Sequence, residues 1–280
     1  MADDRTVSLP TGTRMPALGL GTWGWGEKSD RRDEEVRAVN TALDLGMTLV
    51  DTAEMYGDGA SEELVGEALS TRRDEAFVVT KVLPHNASRQ GTIDACRRSL
   101  RRLRTDHIDL FLLHWPGSYP LVDTVEAFGH LIDAGDIRHW GVSNFDVADL
   151  TDLRDTPDGR GVATNQVLYN LTRRGIEYDL LPWCARQGLP VMAYSPIEQG
   201  RIPDSAVLQE VAERHGVGIQ CVALAWLLRH DNVCAIPSAR SADHLRDNAA
   251  AWDVELSQQD FDRIDEAFPA PTEARPLDIR

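Results

Sequence analysis

Basic residues are in short supply in this chain. Its 280 residues include 29 Lys and Arg against 45 Asp and Glu, which gives a formal net charge of −16. Nucleic acid and anionic membrane surfaces would repel such a protein, so neither is expected as a partner. The chain also lacks any apolar run of about 18 residues, the length that a membrane-spanning helix requires.

Cysteine is sparse as well. The four thiols belong to Cys96, Cys184, Cys221 and Cys234, with no C-x-x-C pair and no histidine-rich tract beside them. Buried or idle thiols in a reducing compartment are the simpler interpretation. The first residues, MADDRTVSLP, are acidic and lack the apolar core of a signal peptide. We therefore expect a cytoplasmic protein.

Short apolar runs recur along the chain, and most are rich in β-branched or aromatic residues. Nearly continuous apolar runs of this length are typical of strands buried on both faces of a parallel sheet. Eight such runs occur, at residues 17–22, 47–52, 77–82, 110–115, 139–144, 164–169, 190–195 and 233–238.

Amphipathic stretches with helical period lie between these runs. The first, residues 33–46, places Val36, Val39, Ala42 and Leu43 on one stripe. Ser61 is the expected N-cap of the second, and Ser257 with Asp260 forms a capping-box pattern in the last. The set comprises residues 33–46, 61–69, 91–103, 124–135, 147–155, 205–216 and 257–268.

Strands alternating with helices indicate βαβ units, and eight units in a chain of this length predict an α/β fold, the (β/α)₈ TIM barrel. Residues 6–16 predict an N-terminal β-hairpin that turns at Thr11 and Gly12 and plugs the amino-terminal end of the barrel. Length alone also allows two domains. No linker or low-complexity segment divides the chain, so residues 1–280 are expected to form a single barrel domain.

The stretch GLGTWG at residues 19–24 matches the glycine pattern of a Rossmann phosphate loop. That loop opens a helix directly, because the helix N-terminus binds the pyrophosphate. Here the polar stretch WGEKSDRRD follows instead. We interpret the match as a coincidence of a glycine-rich strand end.

Polar residues follow the apolar runs at nearly every predicted strand end. Barrel active sites lie at the carboxyl ends of the strands, so these residues should converge on one rim. Each alone has an ordinary structural explanation, such as an ion pair between Asp51 and Lys81, but together they predict an active site. In chain order they are Thr22 with Trp23, Asp51, Lys81, His114, Ser143 with Asn144, Gln166, Tyr194 with Ser195, and Pro237 with Ser238.

Three chemistries compete for these residues. Metal-dependent hydrolysis needs several His and carboxylate ligands, and the strand ends offer one of each. Tyr56 follows Asp51 by five residues in the glycine-rich stretch DTAEMYGDG. A Schiff-base aldolase would use Lys81 but gives no role to Tyr56, Gln166 or Asn144. Carbonyl reduction suits the set of Asp51, Tyr56, Lys81 and His114, because a phenol with a pKa of about 10 can protonate the nascent alkoxide while an ammonium stabilises the phenolate. In that scheme Asp51 holds Lys81, and His114 orients the carbonyl.

The motifs that contain these residues occur in the order that is typical of one known protein family. GLGTW, DTAEMYG, TKV, LLHWP, GVSNF, NQVLYN, AYSP and AIPSA with a later DN together resemble the aldo-keto reductase family over essentially the whole chain. DTAEMYGDGASEELVGEAL and VMAYSPIEQGR are similar to bacterial members that reduce methylglyoxal and other small aldehydes. The resemblance implies a monomer that reduces small aldehydes, 2-oxoaldehydes and ketones to alcohols. It also implies NADP(H) in preference to NAD(H).

The resemblance assigns roles to the matching positions. Tyr56 is the proton donor, tuned by Lys81 and Asp51, and His114 orients the substrate. The substrate pocket comprises Trp23, Tyr56, His114 and Trp115. The implied cofactor contacts are Gly21, Thr22, Trp23, Asp51, Ser143, Asn144, Gln166, Tyr194, Ser195, Ile197, Gln199, Arg201, Ile236, Ser238, Arg240, His244, Arg246 and Asn248.

Within that set, Ser143, Asn144 and Gln166 are implied to hold the nicotinamide carboxamide, and Tyr194 to stack on the ring. Ser195, Ile197, Gln199 and Arg201 are implied to belong to the loop that holds the pyrophosphate, and Thr22 and Trp23 are implied to flank the ribose and the pocket mouth.

One segment departs from the family pattern. The family often has I-P-K-S and a later Arg, which grip the adenosine 2′-phosphate. This chain has Ser238 in place of the Lys and His244 in place of that Arg. Arg240 and Arg246 are the cations expected to replace them. A redox-silent barrel that binds cofactor as a sensor is the alternative from another class, and the intact Asp, Tyr, Lys and His set favours turnover.

The segments that set substrate size are short. Only PGSYPLVD separates Trp115 from a helix, and twelve residues follow Phe268. Trp23 and Trp25 are expected beside Trp115 at an aromatic, shallow mouth. We expect small or aromatic aldehydes to fit better than steroids.

Overall fold

The computed structural model describes residues 5–279, in which a two-stranded hairpin precedes an eight-stranded sheet. The hairpin strands β1 and β2 run over Thr6–Ser8 and Arg14–Pro16, with Val7 paired opposite Met15. The remaining strands, β3 to β10 in chain order, are Gly19–Gly21, Leu49–Asp51, Phe77–Val82, Ile108–Leu113, Ile137–Ser143, Asn165–Leu168, Val191–Tyr194 and Val233–Ile236.

Ten α-helices cover the outside of this sheet in the described part of the chain. No helix within residues 5–279 is long and apolar enough to cross a bilayer. The helices α1 to α10 are Arg32–Asp44, Ala60–Ala68, Arg89–Leu103, Leu121–Ala134, Val147–Asp155, Leu180–Arg186, Ala206–His215, Ile219–Leu227, Ala242–Ala249 and Gln258–Ala267.

Each of β3 to β9 pairs in parallel with the next strand, and the first and last strands meet to close a barrel. Leu18 bridges Ala235, and the Gly21 N–H donates to the Pro237 carbonyl at 3.0 Å. A Cβ on Gly21 would lie 2.9 Å from the Ile236 carbonyl oxygen, so a side chain there would force β3 away from β10. The predicted (β/α)₈ barrel is confirmed.

The hairpin plugs the amino-terminal end of the barrel, as predicted. Val7 and Met15 are buried and share one apolar cluster with Leu49, Val79 and Leu110 of the barrel interior. A larger cluster fills the space between the outer faces of the strands and the helices. The amino-terminal half of the interior is therefore a packed core, which leaves the carboxyl-terminal rim for polar groups.

Several local predictions need correction. Ser61 does not cap α2, because Gly59, at φ 94°, occupies the N-cap and Ser61 lies buried inside the helix. Helices α6, α8 and α9 were not predicted; α8 is apolar on nearly all sides, which hides helical period. The capping box of Ser257 and Asp260 is present. No helix opens at GLGTWG, since α1 begins at Arg32.

Candidate active site

Strand alternation explains why polar side chains meet inside the rim. Val79 belongs to the interior core, so Lys81, two residues later on β5, also points inward. On β4, Leu49 is likewise an interior residue, so Asp51, two residues later, also points inward. Two further predicted residues also lie two positions beyond an interior residue, namely His114 after Leu112 and Tyr194 after Met192.

The ammonium of Lys81 is the centre of the site, and its side chain is fully buried. Its Nζ lies 2.8 Å from Asp51 Oδ1, 2.7 Å from the Thr52 carbonyl oxygen and 3.2 Å from the Tyr56 hydroxyl oxygen. An ammonium has three N–H donors, so each has an acceptor. Because the Tyr56 oxygen accepts from Lys81, its own proton remains available to another group.

A tight turn after β4 carries Tyr56 to this position. The next three residues, Gly57, Asp58 and Gly59, have φ values of 57°, 53° and 94°. This left-handed region suits glycine, which explains the glycine-rich sequence between the strand and α2. This turn follows Tyr56 directly, and Lys81 Nζ lies 4.8 Å from the centroid of the phenol ring.

Burial and charge oppose each other at the phenol and the ammonium. Burial raises the pKa of Tyr56, and the positive charge of Lys81 offsets part of that rise. Burial also disfavours the Lys81 ammonium, but Asp51 and Tyr56 outweigh it and raise the pKa of Lys81 above its usual value. At neutral pH the site therefore holds a protonated phenol beside a charged ammonium, the pair needed to donate a proton.

His114 lies at the edge of the phenol. The centroids of the Tyr56 and His114 rings are 5.9 Å apart at an interplanar angle of 72°, and the centroid of the Trp115 ring lies 4.8 Å from that of His114. Burial, and next the charge of Lys81, lower the pKa of His114 to about 2. The imidazole is therefore neutral, and it can offer an N–H to a carbonyl oxygen without being a strong acid.

This buried neutral histidine should make stability depend on pH. Below pH 6.5 the unfolded chain protonates His114 while the folded protein does not, so folding stability is lost as pH falls towards 2. His114→Gln removes this loss. The variant should gain about 1.4 kcal/mol over wild type for each pH unit below 6.5. Urea unfolding of both proteins at several pH values measures this, and a difference that is constant with pH would contradict it.

Three predicted nicotinamide contacts surround these groups. Gln166 donates its amide N–H to Asp51 Oδ2 at 2.8 Å. The side-chain amide of Asn144, held at φ 59°, donates to the His114 carbonyl at 3.1 Å and to Ser143 Oγ at 3.1 Å. The Tyr194 hydroxyl donates to Asn144 Oδ1 at 3.0 Å. The strand ends β7, β8 and β9 thus present one connected polar surface.

Three hydroxyl side chains form a hydrogen-bond network that reaches the backbone of Asp51, and the sequence did not predict this network. Thr22 Oγ1 donates to the Asp51 carbonyl at 2.8 Å. Ser61 Oγ lies 2.8 Å from Thr22 Oγ1 and 3.0 Å from Thr52 Oγ1. Ser61 therefore takes part in this network instead of capping α2. Its only sequence signal is three small hydroxyl residues near the catalytic motif.

The predicted adenosine contacts lie on and before α9. Trp25 Nε1 donates to Ser238 Oγ at 3.1 Å, and Arg240 pairs through Nε with Glu35 at 2.8 Å. Arg246 is exposed and pairs with Asp243 at 2.7 Å. Both predicted phosphate-binding arginines therefore already have carboxylate partners. The partner of Arg240, a fully buried Glu35 on α1, was not predicted.

The aromatic mouth differs from the prediction in one residue. Trp23 is 60% exposed and Trp115 is half-buried, as a pocket wall requires. Trp25 is fully buried, with the guanidinium of Arg240 5.3 Å from its ring. The expectation that Trp25 lines the mouth is wrong, because the loop after β3 turns its side chain into the core.

Two residues predicted to face the substrate or the cofactor each have a buried polar atom without a partner. Within residues 5–279, three buried side-chain polar atoms have no hydrogen-bond partner, and two of them are His114 Nδ1 and Asn248 Nδ2. Buried polar atoms are nearly always paired in proteins. His114 belongs to the predicted carbonyl site and Asn248 to the predicted adenosine site. The unpaired Asn248 amide therefore fits an adenosine at its predicted site, and the unpaired His114 nitrogen belongs to the predicted carbonyl site.

Comparisons with known proteins agree with this geometry. Methylglyoxal reductase YeaE of Escherichia coli is 50% identical over 95% of this chain and 95% of its own length. The glyoxal reductase of Bacillus subtilis is 36% identical over 93% of this chain and 91% of its own. An aldo/keto reductase from Klebsiella pneumoniae, solved with NADP and acetate, is 46% identical with a TM-score of 0.96, covering 99% of this chain and 100% of that one. Because the aldo/keto reductase family model also matches residues 17–268, the chain belongs to this family of oxidoreductases.

Proposed function

We propose that this protein uses NADPH to reduce small aldehydes, 2-oxoaldehydes and ketones to alcohols. The observation that carries the proposal is the contact of Lys81 with both Asp51 and Tyr56, next to a neutral His114. The names of the Escherichia coli and Bacillus subtilis relatives, methylglyoxal and glyoxal reductase, support 2-oxoaldehydes as substrates.

The residues act on the substrate oxygen. NADPH, when bound, supplies the hydride to the carbonyl carbon. His114 donates a hydrogen bond that orients the carbonyl, and Tyr56 transfers its proton to the oxygen as negative charge develops there. Lys81 stabilises the phenolate that remains, and Asp51 keeps Lys81 charged and in place. The phenol is then reprotonated from solvent.

The polar surface at β7 to β9 suits the nicotinamide carboxamide. Gln166 donates its amide N–H to Asp51, so its Oε1 can accept from the carboxamide amino group. Ser143 Oγ accepts from Asn144, so its hydroxyl proton can be donated to the carboxamide oxygen. The half-buried ring of Tyr194, fixed by its hydroxyl on Asn144, offers a face for stacking.

Substrate size follows from the loops around the mouth. Residues 116–120 alone separate Trp115 from α4. Residues 275–278 of the carboxyl-terminal tail line a cavity of about 370 Å³ together with Val147 and Ile176, and neither Tyr56 nor His114 lines that cavity. The mouth therefore has aromatic walls and little cover, which favours small or flat substrates.

NADPH consumption measured with three carbonyl compounds tests this proposal. We expect kcat/KM to be highest for methylglyoxal and a nitrobenzaldehyde and poor for a ketosteroid. A preference for the steroid would contradict the argument from loop length and leave carbonyl reduction standing. If none of the three compounds led to NADPH consumption, the result would favour the alternative that the barrel binds the cofactor as a sensor without turnover.

Cofactor preference is the next prediction. Replacing Arg240 and Arg246 together by Met should raise the dissociation constant for NADPH roughly tenfold or more, because each charge-assisted hydrogen bond to the 2′-phosphate is lost. The dissociation constant for NADH should hardly change. Titration calorimetry with both cofactors measures this.

The matched control replaces Arg214, which pairs with the buried Asp260, and the exposed Arg89, which pairs with Glu126, both by Met. It removes the same net charge and should leave both constants unchanged. Equal losses for NADPH and NADH in the test variant would show that neither Arg240 nor Arg246 recognises the phosphate.

A further inference from the structure

The loop after β9 has a costly backbone conformation. Ser195, Glu198 and Gln199 have φ values of 48°, 48° and 57°, a region that residues with a Cβ rarely adopt. Such conformations persist only where surrounding contacts hold them, and they concentrate at ligand-binding segments. In this protein the contacts come from the loop after β8.

Asn170 connects the two loops. It is buried, and its Nδ2 donates to the Ser195 carbonyl at 2.9 Å and to Glu198 Oε1 at 3.1 Å. Its Oδ1 accepts from the backbone N–H groups of Thr172 and Arg173 at 2.9 and 3.0 Å. One side chain therefore fixes two of the three left-handed residues and is itself fixed by its own loop.

Glu198 is the residue of the loop after β9 that contacts the loop after β8 through its side chain. Its carboxylate is buried, and Oε1 also accepts from Thr172 Oγ1 at 3.2 Å and from Arg173 Nε at 3.1 Å. A free carboxylate in a loop that faces a diphosphate would repel it. Here the carboxylate is turned inward and its charge is compensated by Arg173. Arg173 Nη1 lies 3.8 Å from Asp278 of the carboxyl-terminal tail.

We propose that Glu198, held by Asn170 and Arg173, is a positioning residue that keeps residues 195–201 in their cofactor-binding conformation before the cofactor arrives. The proposal rests on the proposed use of NADPH, whose pyrophosphate the family resemblance assigns to this loop. A loop that is already ordered binds without first being selected from other conformers, and this lowers the apparent dissociation constant.

Two variants test this positioning role. Glu198→Ala removes the carboxylate, and Arg173→Met removes only a partly exposed partner, so it spares the core if the first variant folds poorly. The control is Asp109→Asn, which breaks a comparable ion pair, with Arg73 at 2.7 Å, near the opposite end of the barrel. Hydrogen exchange at residues 195–201 is measured in the cofactor-free proteins. The NADPH dissociation constant and dissociation rate are measured by fluorescence.

Both test variants should lose protection at residues 195–201 without cofactor, and the control should not. If the binding conformer falls to about a tenth of the molecules, the NADPH dissociation constant rises about tenfold. Wild-type protection, or a loosened loop with unchanged NADPH affinity, would overturn the positioning role. Failure of the wild-type protein to bind NADPH would instead overturn the proposed function, whatever the exchange result.

Discussion

Tyr56→Phe is expected to lower kcat for methylglyoxal about 10²- to 10⁴-fold, the usual contribution of a positioned acid. Only the hydroxyl is lost, so the ring keeps its edge contact with His114 and the turn behind it is unchanged. The dissociation constant for NADPH should therefore stay near the wild-type value. Steady-state kinetics and a cofactor titration on the same preparation measure both quantities.

Tyr178→Phe is the matched control, because Tyr178 is half-exposed and distant in the sequence from every predicted catalytic residue. It should behave as wild type in both assays. If Tyr56→Phe also kept wild-type turnover, Tyr56 would not be the proton donor.

Lys81→Met should affect both stability and activity. The substitution keeps much of the side-chain length but leaves the Asp51 carboxylate buried without its ammonium. Breaking a buried pair from one side costs roughly 3–5 kcal/mol of folding stability. Turnover should also collapse, because the phenolate of Tyr56 loses the charge that stabilises it. Urea unfolding and steady-state kinetics measure the two effects.

The double variant Asp51→Asn with Lys81→Met separates these two roles. It removes the unpaired charge, and the carbonyl oxygen of the introduced amide can still accept from Gln166, so much of the stability should return. Activity should not return, since no cation then faces Tyr56. Recovery of turnover in the double variant, or a Lys81→Met protein as stable as wild type, would contradict the role given to this pair.

The rim was predictable because it follows from alternation along strands. Once Val79 is known to be an interior residue, the direction of Lys81 is fixed, and the same holds for Asp51 after Leu49. The convergence of Asp51 and Lys81 therefore follows from a strand pattern visible in the sequence, whereas Tyr56 is positioned by the turn after β4. The structure adds the distances and the third acceptor, the Thr52 carbonyl.

Loop geometry was not predictable in the same way. Trp25 was expected at the mouth with Trp23, but side chains two positions apart share one side only while the chain is extended. Gly24 and Gly26 have φ values of 73° and 77°, and these turns send Trp25 into the core. Glu35 and Glu198 were missed for a related reason, since each partner lies on a different loop or helix far along the chain.

The most direct test of proton donation by Tyr56 is a single-turnover experiment. Protein already loaded with NADPH is mixed with excess methylglyoxal, and NADPH oxidation is followed by stopped-flow absorbance for wild type and Tyr56→Phe. We predict rapid oxidation of the bound NADPH in wild type and a rate about 10²- to 10⁴-fold lower in the variant. Equal rates in the two proteins would contradict proton donation by Tyr56, and no oxidation in wild type would contradict carbonyl reduction itself.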